Sequence, residues 1–213
     1  MGAGKTIALM APNIPHYCVV FHAVAWAGGT ITTINPTYTA SEVAHQLRDS
    51  AADLLITIPM FLETAQMAAK DAAGQTVVVM GEADGVEPLS AYYGAPLEAQ
   101  VAVDLDEHSV VLPYSSGTTG LPKPLVHDHG GTLVNGMTHK NLHYDVACSY
   151  EPNSLGERFL WYSSTGWVMW NAQLSGLLSG TTCVIYDGNP GGSKDKPDWG
   201  VLWRYAGSEG VTF

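Results

Sequence analysis

The chain has 213 residues, of which 46% are hydrophobic and 14% are charged, so it can bury the core of one large or two small domains. Its formal net charge of -11 leaves no basic surface for a phosphodiester backbone, and we therefore predict no nucleic-acid partner. The three cysteines, Cys18, Cys148 and Cys183, lie in mainly apolar stretches without C-x-x-C spacing. This pattern indicates reduced thiols in a cytoplasmic protein.

The longest apolar stretch gives no membrane signal. It runs over roughly residues 17 to 34, is interrupted by His22 and by the pair Gly28 and Gly29, and falls short of the ~20 apolar residues that a bilayer requires. No secretory signal pattern follows Met1. We therefore predict neither a membrane span nor secretion.

Short apolar runs alternate with helical segments in the first half of the chain. The sequence predicts strands at residues 7–11, 31–34, 54–58 and 76–80. It predicts helices from an N-cap at Asn13, from a capping box at Thr39 and Glu42, and from about Phe61, followed by an irregular connection over residues 81–106. This alternation is typical of an α/β fold with a partly parallel sheet covered by helices.

The second half continues this alternation. A strand at residues 109–114 runs directly into a loop rich in glycine and hydroxyl groups. Further predicted elements are helices at 131–143, 167–178 and 199–206, strands at 159–162 and 181–186, and the start of a strand at 210–213. We predict two layers, residues 1–105 and 106–213, the second of which is incomplete at its C-terminus.

The loop after the strand at 109–114 has the composition of a polyphosphate site. Five side chains carry hydroxyl groups and surround two glycines, with a lysine at the far end: Tyr114, Ser115, Ser116, Thr118, Thr119, Gly117, Gly120 and Lys123. Glycines let backbone N–H groups approach phosphate oxygens, hydroxyls donate directional hydrogen bonds, and the lysine adds a point charge. We predict that this loop binds ATP with Mg2+, although a polar surface loop would have the same composition.

The order of these residues carries a resemblance. The segment Ser-Ser-Gly-Thr-Thr-Gly-Leu-Pro-Lys, residues 115–123, resembles the phosphate loop of the adenylate-forming enzymes, which include acyl- and aryl-CoA ligases, luciferases and peptide-synthetase adenylation domains. The resemblance implies a fragment of the large N-terminal domain of an ATP-dependent, AMP-forming acid:CoA ligase. Such enzymes convert a carboxylate and ATP to an acyl-adenylate, and then use CoA as co-substrate to form acyl-CoA.

The resemblance changes character within the chain. Residues 5–123, including Ala11-Pro12-Asn13 and the run Asn35-Pro36-Thr37-Tyr38-Thr39, are similar to 4-coumarate:CoA ligase-like enzymes. Residues 124–213, including the stretches at 125–131, 164–171 and 186–190, resemble acetoacetyl-CoA synthetase and its acetyl-CoA synthetase relatives. Our hypothesis is that the chain is a mosaic of the two branches, joined at the loop that both share.

The resemblance also implies roles for individual residues. The ATP β- and γ-phosphates are expected to contact Ser115, Ser116, Gly117, Thr118, Thr119 and Gly120, with Lys123 as the catalytic cation. An acyl pocket is expected at Thr165, Gly166, Trp167 and Trp170, although two tryptophans at this helical spacing are more often core residues. Residues 162–166 lack the histidine that the aryl-CoA branch commonly carries, which argues against an aromatic acid and favours a short acid such as acetoacetate or acetate. A 4-coumarate or medium-chain acid:CoA ligase is the alternative.

Several alternatives remain at this point. The resemblance implies further segments after residue 213, including a small C-terminal domain, so we expect the chain alone to be inactive, and a non-catalytic ATP-binding module is the second hypothesis. Exposed sheet edges favour a homo-oligomer or a domain swap. A Walker-type phosphotransferase rests on Gly4, Lys5 and Thr6 alone. The neighbouring His139 and His143 lack a Glu or Cys at a familiar spacing, so we predict no metal site.

Overall fold

The computed structural model describes residues 2–115, 121–146 and 157–213. The chain divides into two compact units. The first comprises residues 1–131 and 164–168, and the second comprises residues 132–163 and 169–213. The two layers predicted from the sequence, residues 1–105 and 106–213 of a larger N-terminal domain, stay a prediction.

The first unit is built on one seven-stranded sheet. Its strands are β1 (Thr6–Leu9), β2 (Thr30–Thr33), β3 (Leu54–Thr57), β4 (Thr76–Val79), β5 (Glu87–Pro88), β6 (Ser109–Pro113) and β7 (His127–Asp128). They lie in the order β5-β4-β3-β1-β2-β6-β7, and every neighbouring pair is parallel except β6 and β7. The predicted α/β class is therefore confirmed, and the carboxyl ends of β1 to β6 meet at one edge of the sheet.

Three helices cover this sheet: α1 (Pro15–Trp26), α2 (Ala40–Asp49) and α3 (Leu62–Ala72). The predicted capping box opens α2, where the Thr39 hydroxyl accepts a hydrogen bond from the Glu42 N–H and the Glu42 carboxylate accepts one from the Thr39 N–H. The predicted cap of α1 by Asn13 is wrong, because Ile14 occupies the N-cap position and makes no side-chain cap. Pro15 starts that helix instead, since its fixed φ suits the first turn and its missing N–H needs no partner.

One hydrophobic core of the first unit lies between the sheet and helices α2 and α3. Met10 and Ile34, which follow β1 and β2, pack with Val43 and Leu47 of α2 and with three alanines of α3. The small alanine side chains allow α2 and α3 to approach closely. Residues 87–92 add the short strand β5 and a 3-10 turn (Leu89–Tyr92) within the stretch predicted to be irregular.

Shorter elements form the second unit. They are α4 (His129–Thr138), which begins in the first unit, a π-helical turn (His139–His143), β8 (Arg158–Phe159), α5 (Val168–Leu174), a 3-10 turn (Ser175–Ser179), β9 (Thr182–Cys183) and α6 (Val201–Ser208). Strands β8 and β9 pair in parallel over two residues each, so the strands predicted at 159–162 and 181–186 were too long. Residues 210–213 are not a strand, although the Leu160 N–H donates to the Phe213 carbonyl. No helix among the described residues is long and apolar enough to span a bilayer.

Candidate nucleotide and acyl site

The phosphate-loop segment leaves the sheet through a closed neck. Tyr114 pairs with Pro124 as an antiparallel bridge, and the Ser115 N–H donates to the Lys123 carbonyl at 3.0 Å. The Leu125 N–H donates to the Pro113 carbonyl at 2.8 Å. We call residues 113–115 and 123–125 the loop neck. The strand therefore turns back on itself at the carboxyl edge of the parallel sheet, which is where open α/β sheets bind ligands.

The structure describes the predicted phosphate-binding residues only at the two ends of the loop. Ser116, Gly117, Thr118, Thr119 and Gly120 lie outside the described residues. Ser115 is half-buried at the neck, and the Lys123 side chain is exposed. Lys123 forms no salt bridge with any residue that the structure describes, so its ammonium group is available to an anion at this edge.

Helix α2 contacts Tyr114 in the loop neck and Pro122 directly beside it. The buried Tyr114 phenol donates a hydrogen bond to the Asp49 carboxylate at 2.8 Å, and His45 Nε2 lies 3.2 Å from the Pro122 carbonyl oxygen. Burial and the neighbouring Asp49 carboxylate raise the pKa of Tyr114 above its usual value. The Tyr114 hydroxyl, one of the five hydroxyls noted in the sequence, is therefore committed to Asp49 and does not face a phosphate.

A buried polar network lies behind the neck. The Gln46 amide donates to the Thr32 hydroxyl at 2.8 Å and to the Thr33 carbonyl at 2.9 Å. The Thr32 hydroxyl in turn donates to the Leu112 carbonyl at 3.0 Å. The network joins α2 through β2 to β6, the strand that leads into the loop. Sequence reasoning missed it, and the only local signal is a glutamine within the buried stripe of α2.

The predicted acyl segment packs against the ends of β1 and β2. Thr165 is fully buried, its hydroxyl donates to the Ala11 carbonyl at 2.5 Å, and its carbonyl accepts from the Tyr17 phenol at 3.2 Å. A Cβ atom on Gly166 would lie 2.3 Å from the Asn35 backbone nitrogen, so only glycine fits there. Burial raises the pKa of Tyr17. Thr165 and Gly166 thus lie at the same edge of the sheet as the loop neck.

The two tryptophans of the predicted acyl pocket differ in environment. Trp167 belongs to the first unit and has 41% of its surface exposed, whereas Trp170 belongs to the second unit and is 1% exposed. Trp170 is therefore a core residue of the second unit. Trp167 is the more exposed of the two, and its place in an acyl pocket stays a prediction.

Two other sequence features have structural explanations. The Lys5 ammonium pairs with the Asp53 carboxylate at 2.7 Å in a stretch that precedes β1, at the opposite edge of the sheet from the loop neck. This pairing removes the basis for a Walker-type site at residues 4–6. The His139 and His143 rings lie 5.5 Å apart, and in the described ranges no three His, Cys, Asp or Glu side chains are grouped to hold a metal ion.

Comparison with known proteins gives relatives of both predicted branches. Acetoacetyl-coenzyme A synthetase of Rhizobium meliloti is 28% identical over 229 aligned positions, which cover 98% of this chain and 34% of that protein. 4-coumarate--CoA ligase 5 of Oryza sativa subsp. japonica is 36% identical over 137 positions, or 62% of this chain and 24% of that protein. One acetoacetyl-CoA synthetase thus aligns with nearly the whole chain, and the mosaic origin stays a hypothesis.

The structural comparison agrees with the sequence comparison. Acetoacetyl-CoA synthetase from Streptomyces lividans superposes with a TM-score of 0.84 at 33% identity, covering 100% of this chain and 33% of its own length. This chain therefore spans about a third of the length of the two acetoacetyl-CoA synthetases. The profile of the AMP-binding enzymes matches residues 1–213. The relatives compared above are CoA synthetases or CoA ligases. The chain belongs to the AMP-binding enzyme family.

Proposed function

We propose that this chain forms the phosphate-binding and part of the acid-binding surface of an ATP-dependent, AMP-forming acid:CoA ligase that acts on a short acid such as acetoacetate or acetate. The observation that carries the proposal is the placement of the loop neck and the Thr165-Gly166 segment at one edge of the same parallel sheet. An anion held by the loop and a carboxylate near residues 165–167 would both lie along this edge.

The reaction has two steps in which the protein mainly positions charge. The carboxylate oxygen attacks the ATP α-phosphorus and pyrophosphate leaves, giving the acyl-adenylate. The CoA thiol sulfur then attacks the acyl carbonyl and AMP leaves. The backbone N–H groups and hydroxyls of residues 115–120 would hold the β- and γ-phosphates, and Lys123 would offset their charge. Bound Mg2+ would neutralise the triphosphate further.

The choice of a short acid rests on the acyl segment and on the relatives. Thr165 is buried, Gly166 has no room for a side chain, and Trp167 is large and partly exposed, so this stretch offers a bulky wall and little depth. Two acetoacetyl-CoA synthetases align with 98% and 100% of the chain at 28% and 33% identity, whereas two other structures that cover all of it are only 19% and 21% identical. A 4-coumarate or medium-chain acid is the alternative, because the relative that is 36% identical is a 4-coumarate:CoA ligase.

Calorimetric titration with Mg-ATP tests the nucleotide half of the proposal. We expect saturable binding by the chain and at least about tenfold weaker binding by Lys123→Ala, since the lost charge-assisted contact is worth on the order of 1.5–3 kcal/mol. Lys70→Ala, which removes an exposed lysine of α3, is the matched control and should bind as the unaltered chain does. Equal binding by the Lys123 variant and the control would contradict the proposed role of Lys123.

Ligand-observed saturation-transfer NMR tests the acid half. In the presence of Mg-ATP, acetoacetate and acetate should show saturation transfer that Trp167→Ala reduces, whereas 4-coumarate should show less. Stronger transfer to 4-coumarate would favour the aryl-CoA branch. Binding of Mg-ATP without transfer to any acid would favour the non-catalytic nucleotide-binding module.

A further inference from the structure

We propose that His45 and Asp49 of helix α2 are positioning residues that clamp the two legs of the phosphate loop at its neck. Asp49 holds the segment that leads into the loop by accepting a hydrogen bond from the Tyr114 phenol at 2.8 Å. His45 holds the segment that leads out of the loop through the Pro122 carbonyl at 3.2 Å. The inference deepens the proposed function, because it assigns what fixes the loop that would hold the ATP phosphates.

The clamp follows from the helical spacing of the two residues. His45 and Asp49 are four residues apart, so their side chains project from the same face of α2. The Pro122 carbonyl can only accept a hydrogen bond, so His45 must donate from a protonated Nε2. The two contacts lie on opposite sides of the Ser115–Lys123 hydrogen bond that closes the neck. Together they fix where the loop begins and where it ends.

Asp49 occupies a position that helix stability alone disfavours. It is the last residue of α2, where the helix dipole is negative and a carboxylate is unfavourable. Its compensating contact is the hydrogen bond from Tyr114, a residue only 5% exposed. Asp49 therefore fits a role in positioning the loop through Tyr114 better than a role in stabilising α2.

Helix α2 itself is anchored to the strand that it clamps. The Gln46 amide bonds to the Thr32 hydroxyl and the Thr33 carbonyl, and the Thr32 hydroxyl bonds to Leu112, two residues before Tyr114. Helix α2 is therefore held in place relative to the strand that leads into the loop. Fixing the two ends of a ligand loop lowers the conformational entropy that is lost when the ligand binds.

Hydrogen exchange of neck amides tests the clamp without any ligand. The Ser115 and Leu125 amides, which close the neck, should exchange about tenfold faster in Asp49→Ala and in His45→Ala than in the unaltered chain. The Gly74 amide, which bonds to the Ala69 carbonyl at the end of α3, can open without breaking the neck contacts and should keep its rate. Asp49→Asn retains an acceptor for Tyr114 and should restore slow exchange at Ser115. Glu63→Ala, at an exposed site on α3, is the control for surface substitution.

Mg-ATP titration of the same variants tests the consequence. We expect Asp49→Ala and Tyr114→Phe each to weaken binding about threefold to tenfold, and the double variant to weaken it no more than either alone, because both remove one hydrogen bond. Unchanged exchange at Ser115 and Leu125 in both alanine variants, or equal acceleration at Gly74, would overturn the clamp. Failure of the proposed function is separate, since it shows as equal Mg-ATP binding by Lys123→Ala and the unaltered chain, whatever the exchange rates.

Discussion

The two units of the chain differ in what determines their elements. In the first unit, five strands of four or five residues pair in parallel at the centre of the sheet, and α2 and α3 pack on it with an apolar core. In the second unit, the only sheet in the described ranges has two residues per strand, and Trp199 and Trp203 have 81% and 82% of their surfaces exposed. Local sequence signals therefore predict most elements of the first unit, whereas the strands of the second unit are shorter than the sequence predicts.

Buried polar groups show the same contrast. In the first unit, Gln46 and Thr57 are buried and their side chains donate to backbone or hydroxyl acceptors in neighbouring elements. In the second unit, Lys140 is fully buried with its ammonium 3.3 Å from the centre of the Phe159 ring, and its Nζ has no hydrogen-bond partner among the described residues. A buried ammonium held mainly by an aromatic ring is costly, so we expect Lys140 to destabilise the second unit.

Gly166→Ala should produce the largest effect, in the first unit. The new Cβ would lie 2.3 Å from the Asn35 nitrogen and 2.8 Å from the Ile34 carbonyl carbon, and backbone atoms cannot yield as a flexible side chain would. We expect a loss of about 3 kcal/mol or more in the free energy of unfolding, measured by urea denaturation. A loss below about 1 kcal/mol would mean that the 164–168 segment is not seated against the sheet as described.

Lys140→Met should stabilise the second unit by about 1–3 kcal/mol, because an apolar side chain of similar length replaces a desolvated charge. Burial lowers the pKa of Lys140 to about 8, below the usual 10.5. The unfolded state then binds more protons between these two values, so the stability of the unaltered chain should rise as pH increases from 8 to 10.5. The advantage of the variant should therefore shrink over that range.

Denaturation of both chains at several pH values, with Lys70→Met as an exposed control, measures this effect. A variant advantage that is independent of pH would indicate that Lys140 gains nothing by losing its proton. A less stable variant would mean that the contact with the Phe159 ring outweighs the desolvation of the ammonium.

Thr39→Ala should cost about 1 kcal/mol, because it removes the hydroxyl that caps α2. The hydrogen bonds from the Thr39 N–H and hydroxyl lower the pKa of Glu42. The stability that this bonding contributes is present above the unfolded pKa of Glu42 and is lost as pH falls through the folded value. Denaturation at pH 7 and pH 3 should therefore show a smaller difference between the two chains at pH 3. An equal difference at both pH values would exclude a contribution from the Glu42 carboxylate.

The sequence predicts interactions between residues close together in the chain and misses those between distant residues. The capping box at Thr39 and Glu42 spans three residues, and its prediction is confirmed. The bond between Asp49 and Tyr114 spans 65 residues, so no local pattern identifies it. The closeness of Gly166 to Asn35 likewise depends on tertiary packing. The order of residues 115–123 was enough to indicate the family, whereas the roles of Ser115, Lys123 and Trp167 stay predictions.

Gly207→Ala should give the smallest change, and in the opposite direction from Gly166→Ala. Gly207 lies within α6, and a Cβ added there would meet no atom within 4 Å. Alanine restricts the unfolded chain more than glycine, so the second unit should gain about 0.5–1 kcal/mol in its free energy of unfolding. Urea denaturation of both glycine variants in parallel separates the two cases. An added Cβ is tolerated at Gly207, where no atom lies within 4 Å, and clashes at Gly166 with backbone atoms of Asn35 and Ile34. A loss at Gly207 would mean that the outer face of α6 is covered in solution.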